Sequence, residues 1–103
     1  IRHPGLIQDF VYVDDVAQGI AAITQADAGS GVFNVGSGVP TTVAYVANRV
    51  AKHFGAPPLF SLLQAESGFW ADTSRTTAAT GWQAQTSIDD GITQTLRALD
   101  SRR

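Results

Sequence analysis

The 103-residue sequence predicts a small α/β fold: a parallel βαβ sheet with helices packed against it. Three observations carry that prediction. Asp9 to Asp14 alternates as a half-buried strand does and hands over to an apolar-striped segment through two adjacent carboxylates. Val43, Val46, Ala47, Val50, Ala51 and Phe54 recur at helical spacing between two short runs, Gly31 to Val35 and Leu59 to Leu63, that suit strands. Glycines and prolines punctuate nearly every join.

In chain order, Ile1 to Gln8 is a lead-in turned by Pro4 and Gly5, and His3 reads as a solvated loop residue. The strand that follows places Phe10, Tyr12 and Asp14 on one face and Val11 and Val13 on the other. Asp14 and Asp15 stand where a helix start needs an acceptor and negative charge. Behind them Val16, Ile20 and Ile23 make one apolar stripe, with Ala17 and Ala21 allowing close packing, and the helix should stop near Gly29.

Gly31 to Val35 reads as the second strand. Gly36, Ser37 and Gly38 then superficially match the start of a GxGxxG dinucleotide fingerprint, but the third glycine is Thr41, Pro40 precedes it, and no acid follows at ribose distance. A plain glycine turn fits better, with Thr41 or Thr42 capping the next helix. Gly55, Pro57 and Pro58 end that helix, and His53 beside its end suits the helix dipole. Leu59 to Leu63 is the third strand, parallel to the second through a right-handed crossover. Asp72 is the expected N-cap of a short helix running from Thr73 to Thr80 and closed by Gly81, and Trp82 should plug the edge of the core. Ser87 and Asp90 have the spacing of a capping box for the last helix, with Ile88, Ile92, Leu96 and Leu99 inward.

Composition excludes several classes. With 44% hydrophobic and 16% charged residues the chain is globular in type and large enough for one modest core. The formal charge of −2 and scattered cations leave no footprint for nucleic acid. Cysteine is absent, so thiolate metal sites and disulfides are excluded, and a metal centre on His3 and His53 alone is not expected. No apolar run reaches the length of a membrane span, which places the chain in the cytoplasm by default. The complete lack of methionine points to Ile1 not being the natural start and to a piece of a longer protein.

No set of residues forms a nucleophile or acid-base motif by itself. Four segments in order, however, give a family resemblance. DFVYVDDVA (Asp9 to Ala17) is similar to RDFVxVxDVA, and FNVGSG (Phe33 to Gly38) to the strand and turn of the same family. FWADTSR (Phe69 to Arg75) is similar to ADxSK, and TGWQAQTSIDDGITQTL (Thr80 to Leu96) to LGWxPxxSLxxGIxxT. The chain thus resembles, over nearly its whole length, the C-terminal substrate-binding part of the extended short-chain dehydrogenase/reductases. These are NAD(P)-dependent nucleotide-sugar epimerases, dehydratases and reductases of Rossmann type.

The resemblance implies that residues 1–103 bind a nucleotide-sugar or related small molecule, with no catalytic residue of their own. NAD or NADP and the YxxxK pair belong to an N-terminal Rossmann domain absent here, in a parent that is usually a homodimer. Tyr45 is followed by Arg49 inside a helix and does not supply that pair. Phe10 is implied to lie near the substrate; Gln8 and Glu66 are further candidates to face it. Gln8 stands where the family has a diphosphate-binding arginine, and Leu62 or Leu63 replaces the second one. Glutamine offers one neutral amide and leucine nothing in place of a charged fork. The alternatives are a non-catalytic NAD(P)-sensing or scaffold relative, or a stand-alone interaction domain.

Overall fold

The computed structural model describes residues 3–26, 29–60 and 65–102. Among them run β1 (Ile7–Asp9), α1 (Val13–Gln25), β2 (Pro40–Thr42), α2 (Val43–His53), α3 (Ser74–Thr80) and α4 (Ile88–Asp100). The α/β class stands, but the sheet differs from the expected one. β1 and β2 pair antiparallel, Ile7 with Thr42, Gln8 with Thr41 and Asp9 with Pro40. Among the described residues, parallel pairing is limited to a single bridge between Ile7 and Gly68.

Each displacement has a local cause. Pro40 has no N–H to donate, so the ladder ends at Asp9, and the strand lies N-terminal to the alternating run from which it was expected. Gly31 to Val35 forms no strand. Its polar groups bond to the α3 region instead: Thr76 Oγ1 donates to the Asn34 carbonyl at 2.7 Å and Asn34 Nδ2 to the Asp72 carbonyl at 3.0 Å. Leu59 and Phe60 make a bend, and the rest of the third expected strand, residues 61–63, lies outside the described residues.

The helices follow their local signals more closely. Thr42 caps α2 by accepting from Tyr45 N–H at 3.1 Å, Ser87 caps α4 by accepting from Asp90 N–H at 3.1 Å, and Gly81 closes α3 at φ 77°. Asp72 acts one residue outside its helix: its Oδ1 accepts from both the amide and the hydroxyl of Ser74. α1 ends at Gln25, short of Gly29, and Tyr12 occupies its N-cap without a side-chain bond.

The inward face of α1 is the main correction among the helices. Asp15 and Gly19 are buried, whereas Ile20 is 57% exposed. Gly19 is selected by Val35 and the indole of Trp82 together: a Cβ there would sit 2.9 Å from Val35 Cγ1 and 3.1 Å from Trp82 Cε2. A packed surface is thus built on a glycine, which an apolar periodicity cannot display.

Ala44, Ala51, Trp82 and Leu96 form the buried apolar core, with α2 and α4 packed together. The molecule is a thin slab of 48 × 35 × 17 Å with a radius of gyration of 15.8 Å, against about 13 Å for a compact chain of this length. One thickness of helix and loop cannot cover both faces, and Val13, Ile20, Val32 and Phe69 are left more than half exposed. Thr76 lies fully buried beneath Asn34. Thr76→Val, which keeps the shape and removes the donor, is expected to cost about 2 kcal/mol in a urea unfolding titration.

Candidate functional site

The chain converges on Asp9, the last residue of β1. Its carboxylate accepts four hydrogen bonds: from Ser37 N–H at 2.8 Å, Ser37 Oγ at 2.7 Å, Gly38 N–H at 3.0 Å and Ala71 N–H at 3.0 Å. Three segments distant in sequence are thereby tied at one point. Burial works against the charged form, but the Ser37 hydroxyl and amide, with the Ala71 and Gly38 amides, outweigh it and hold the carboxyl below its ordinary value.

This explains the glycine turn. Two successive amides of a G-S-G turn make an anion cradle, and the anion in it is the chain's own carboxylate. Gly36 is required because a Cβ would stand 2.8 Å from Asp9 Oδ2 and 2.9 Å from the Ala71 Cβ. The turn is therefore a structural socket, in agreement with the failed dinucleotide fingerprint.

Hollows among the described residues lie around this knot and beside Phe10. A wide cleft of about 840 Å³ includes Ser37, Gly38, Trp70, Asp72, Thr77 and Gln83 in its walls. A second, of about 330 Å³, lies between Asp9, Val11, Asn34, Val35, Trp70 and Asp72, and shares Trp70, Ala71 and Asp72 with the first. The third, of about 280 Å³, is walled by Phe10, Tyr12, Ile88, Gly91 and Thr95, among others.

Of the three residues expected to face a substrate, Phe10 is half-buried in the third hollow. Gln8 is exposed on β1, opposite Thr41. Glu66 is exposed; its amide donates to the Gly5 carbonyl at 2.9 Å, and no side-chain hydrogen bond joins it to Gln8 or Phe10. Leu62 and Leu63 lie outside the described residues.

Asp14 and Asp15 divide their roles. Asp14 is exposed in the first turn of α1, while Asp15 is buried and its Oδ2 accepts from Thr86 N–H at 2.9 Å, locking α1 to the segment before α4. Tyr45 donates its hydroxyl to Asp89, and that bond raises its pKa, the opposite of what a tyrosine base needs. Among the described residues no three His, Asp or Glu side chains gather as metal ligands. No described helix is long and apolar enough to cross a membrane.

No protein-family model matches the chain. Individual relatives do. It is 33% identical over 94 residues to the dTDP-L-rhamnose 4-epimerase of Burkholderia thailandensis, covering 82% of this chain and 25% of that protein. It is 30% identical over 91 residues to a UDP-glucose 4-epimerase of Yersinia pestis, covering 82% and 27%. The Bordetella bronchiseptica enzyme WbmF, solved with NAD+ and UDP, superposes over 99% of this chain and 31% of its own, with a TM-score of 0.81 and 25% identity. The chain belongs to the extended short-chain dehydrogenase/reductases.

It spans about a quarter to a third of the length of these relatives. Within that family the Asp9 knot occupies the Asp-Phe pair of the first resembling segment and links it to the second and third. The sequence alone had marked these segments as alike but had not shown that a single carboxylate joins them.

Proposed function

We propose that this chain is the substrate-side portion of an NAD(P)-dependent nucleotide-sugar epimerase, inactive by itself and completed by a Rossmann domain elsewhere in the polypeptide. The carrying observation is that the two relatives named above are both nucleotide-sugar 4-epimerases, and the superposing enzyme WbmF binds NAD+ and UDP, the cofactor and nucleotide that such chemistry uses. The thin slab and its uncovered Val13, Ile20 and Val32 support the need for a second domain. The parent enzyme in this reading is a cytoplasmic homodimer.

In this reading Gln8, Phe10 and Glu66 face the nucleotide-sugar. Phe10 offers an aromatic wall, while Gln8 offers a neutral amide toward the diphosphate. The cofactor, bound by the other domain, takes and returns a hydride. This chain's contribution is to hold and orient the nucleotide, with β1 fixed by Asp9.

The test is the full polypeptide incubated with NAD+ and either UDP- or dTDP-hexoses, with epimer formation followed by NMR. Formation of the 4-epimer is expected, and Gln8→Arg should lower the nucleotide-sugar KM by about tenfold, the value of one charge-assisted contact. Calorimetry that detects NAD+ binding but no nucleotide-sugar binding would sink the substrate class. Gln8 also favours a second reading, a non-catalytic NAD(P)-sensing or scaffold relative. That reading expects no turnover even after the arginine is restored.

A further inference from the structure

The hollow behind α2 has no part in the reading above. Tyr45, Asn48, Arg49 and Lys52, spaced along one face of the helix, form its floor, and the exposed Ala56 and Pro58 form one side of an open groove of about 430 Å³. The size is that of a small-molecule site. None of these residues lines the clefts around Asp9.

The wall is prefixed. Gly55 turns the chain back at φ 76°, and Asn48 then binds the returning strand of loop three times. Its Oδ1 accepts from Leu59 N–H at 2.9 Å and Phe60 N–H at 3.1 Å, and its Nδ2 donates to the Phe60 carbonyl at 3.0 Å. Pro57 and Pro58 stiffen the same loop. Little ordering is left for a ligand to impose.

Charge decides what would enter. Asp89 lies beside the hollow, accepting from the Tyr45 hydroxyl and standing 3.1 Å from Arg49 Nε. That Nε is buried and makes no hydrogen bond, but the ion pair sets the Asp89 charge against the guanidinium, so Lys52 carries the uncompensated charge of the hollow. The Lys52 ammonium has no anionic partner among the described residues. The acid of α4 farther along, Asp100, is taken by His53 at 2.7 Å. The cavity is thus cationic on its helical side and apolar on its loop side, beside a Tyr45 ring that is 40% exposed.

The geometry points to a binding site for a small aromatic anion, with a carboxylate or phosphate on Arg49 and Lys52 and the ring between Tyr45 and Pro58. The site is independent of the nucleotide-sugar reading and would make the protein responsive to a second ligand.

The test titrates the full polypeptide with phenyl phosphate, benzoate and inorganic phosphate by calorimetry. Saturable binding of phenyl phosphate or benzoate is expected, and the stronger of the two identifies the anion. Inorganic phosphate should bind at least about tenfold more weakly, since it cannot use the apolar wall. Lys52→Gln should weaken the aryl anion by about tenfold. Ala56→Trp, at an exposed position, should fill the hollow and abolish binding. Absence of saturation with both aryl anions, equal affinity for inorganic phosphate, or affinity unchanged by both substitutions overturns the proposal. Circular dichroism of the two variants distinguishes lost binding from lost fold.

Discussion

Replacing Asp9 with alanine is expected to destabilise the protein by about 3 kcal/mol, read from the midpoint of a denaturant titration followed by tryptophan fluorescence. The carboxylate accepts four bonds, and hydrogen bonds to a charged group contribute about 1.5–3 kcal/mol each when isolated. They share one acceptor group and the site is only half-buried, so the sum is well below four times that figure. Asp9→Asn retains one good acceptor oxygen and should lose about half as much. The bonds join residues 28 to 62 positions apart, so the loss should fall on tertiary order, with the helices largely kept.

The same carboxylate sets an acid limit. Its pKa is lowered on folding from the ordinary 3.8. A group depressed in this way contributes stability that is complete above its unfolded value and is lost as pH falls through the folded one. Stability should therefore decline as pH drops below about 4. Asp9→Asn should flatten that decline without removing it, because Asp72, bonded by the Ser74 hydroxyl and amide, is also lowered. An Asp9→Asn protein with the same acid dependence as the parent would show that Asp9 is not the group responsible.

How much of this could be read from the residues depends on how far each interaction reaches. The caps at Ser87, Gly55 and Gly81 were legible because a cap involves residues two to four apart, and of Thr41 and Thr42, both open from the sequence, Thr42 is the one that caps. The four resembling segments were legible in the same way, as local strings, and they identified the family. Asp9 was not, since its partners arrive from Ser37 and Ala71 and nothing in the local string marks an acceptor for distant amides. Asp15 was read as a helix-start acid for the same reason; its actual partner, Thr86, is 71 residues away. The expected strand at Gly31 to Val35 shows the reverse error. Its composition suits a sheet, but composition cannot say whether a neighbouring strand is present to complete the ladder. Phe10 and Gln8 came from the resemblance and Glu66 from its place in a loop, and the fold alone does not gather the three around one hollow.

The second large effect belongs to Trp82, whose truncation to alanine is expected to cost about 4 kcal/mol. The indole is 8% exposed and fills the space above Gly19, between α1 and the segment leaving α3. The Trp82 carbonyl also accepts from Thr77 Oγ1 at 2.8 Å, which fixes the backbone and keeps the neighbourhood from collapsing into the void. Far-ultraviolet circular dichroism is the appropriate probe, because the substitution removes one of only two tryptophans. The pairing with Gly19 gives a sharper test than the single loss. Gly19→Ala alone pushes a methyl to within 3.1 Å of the indole and 2.9 Å of Val35, and should cost about 2 kcal/mol by overpacking. In the Trp82→Ala background the indole is gone and that methyl enters part of the space it left. Of the three nearest atoms Val35 Cγ1 then remains, at the far end of a side chain free to shift into the same space, so the second substitution should cost less than about 1 kcal/mol. Costs that simply add would mean that Gly19 is glycine for a reason other than the ring above it.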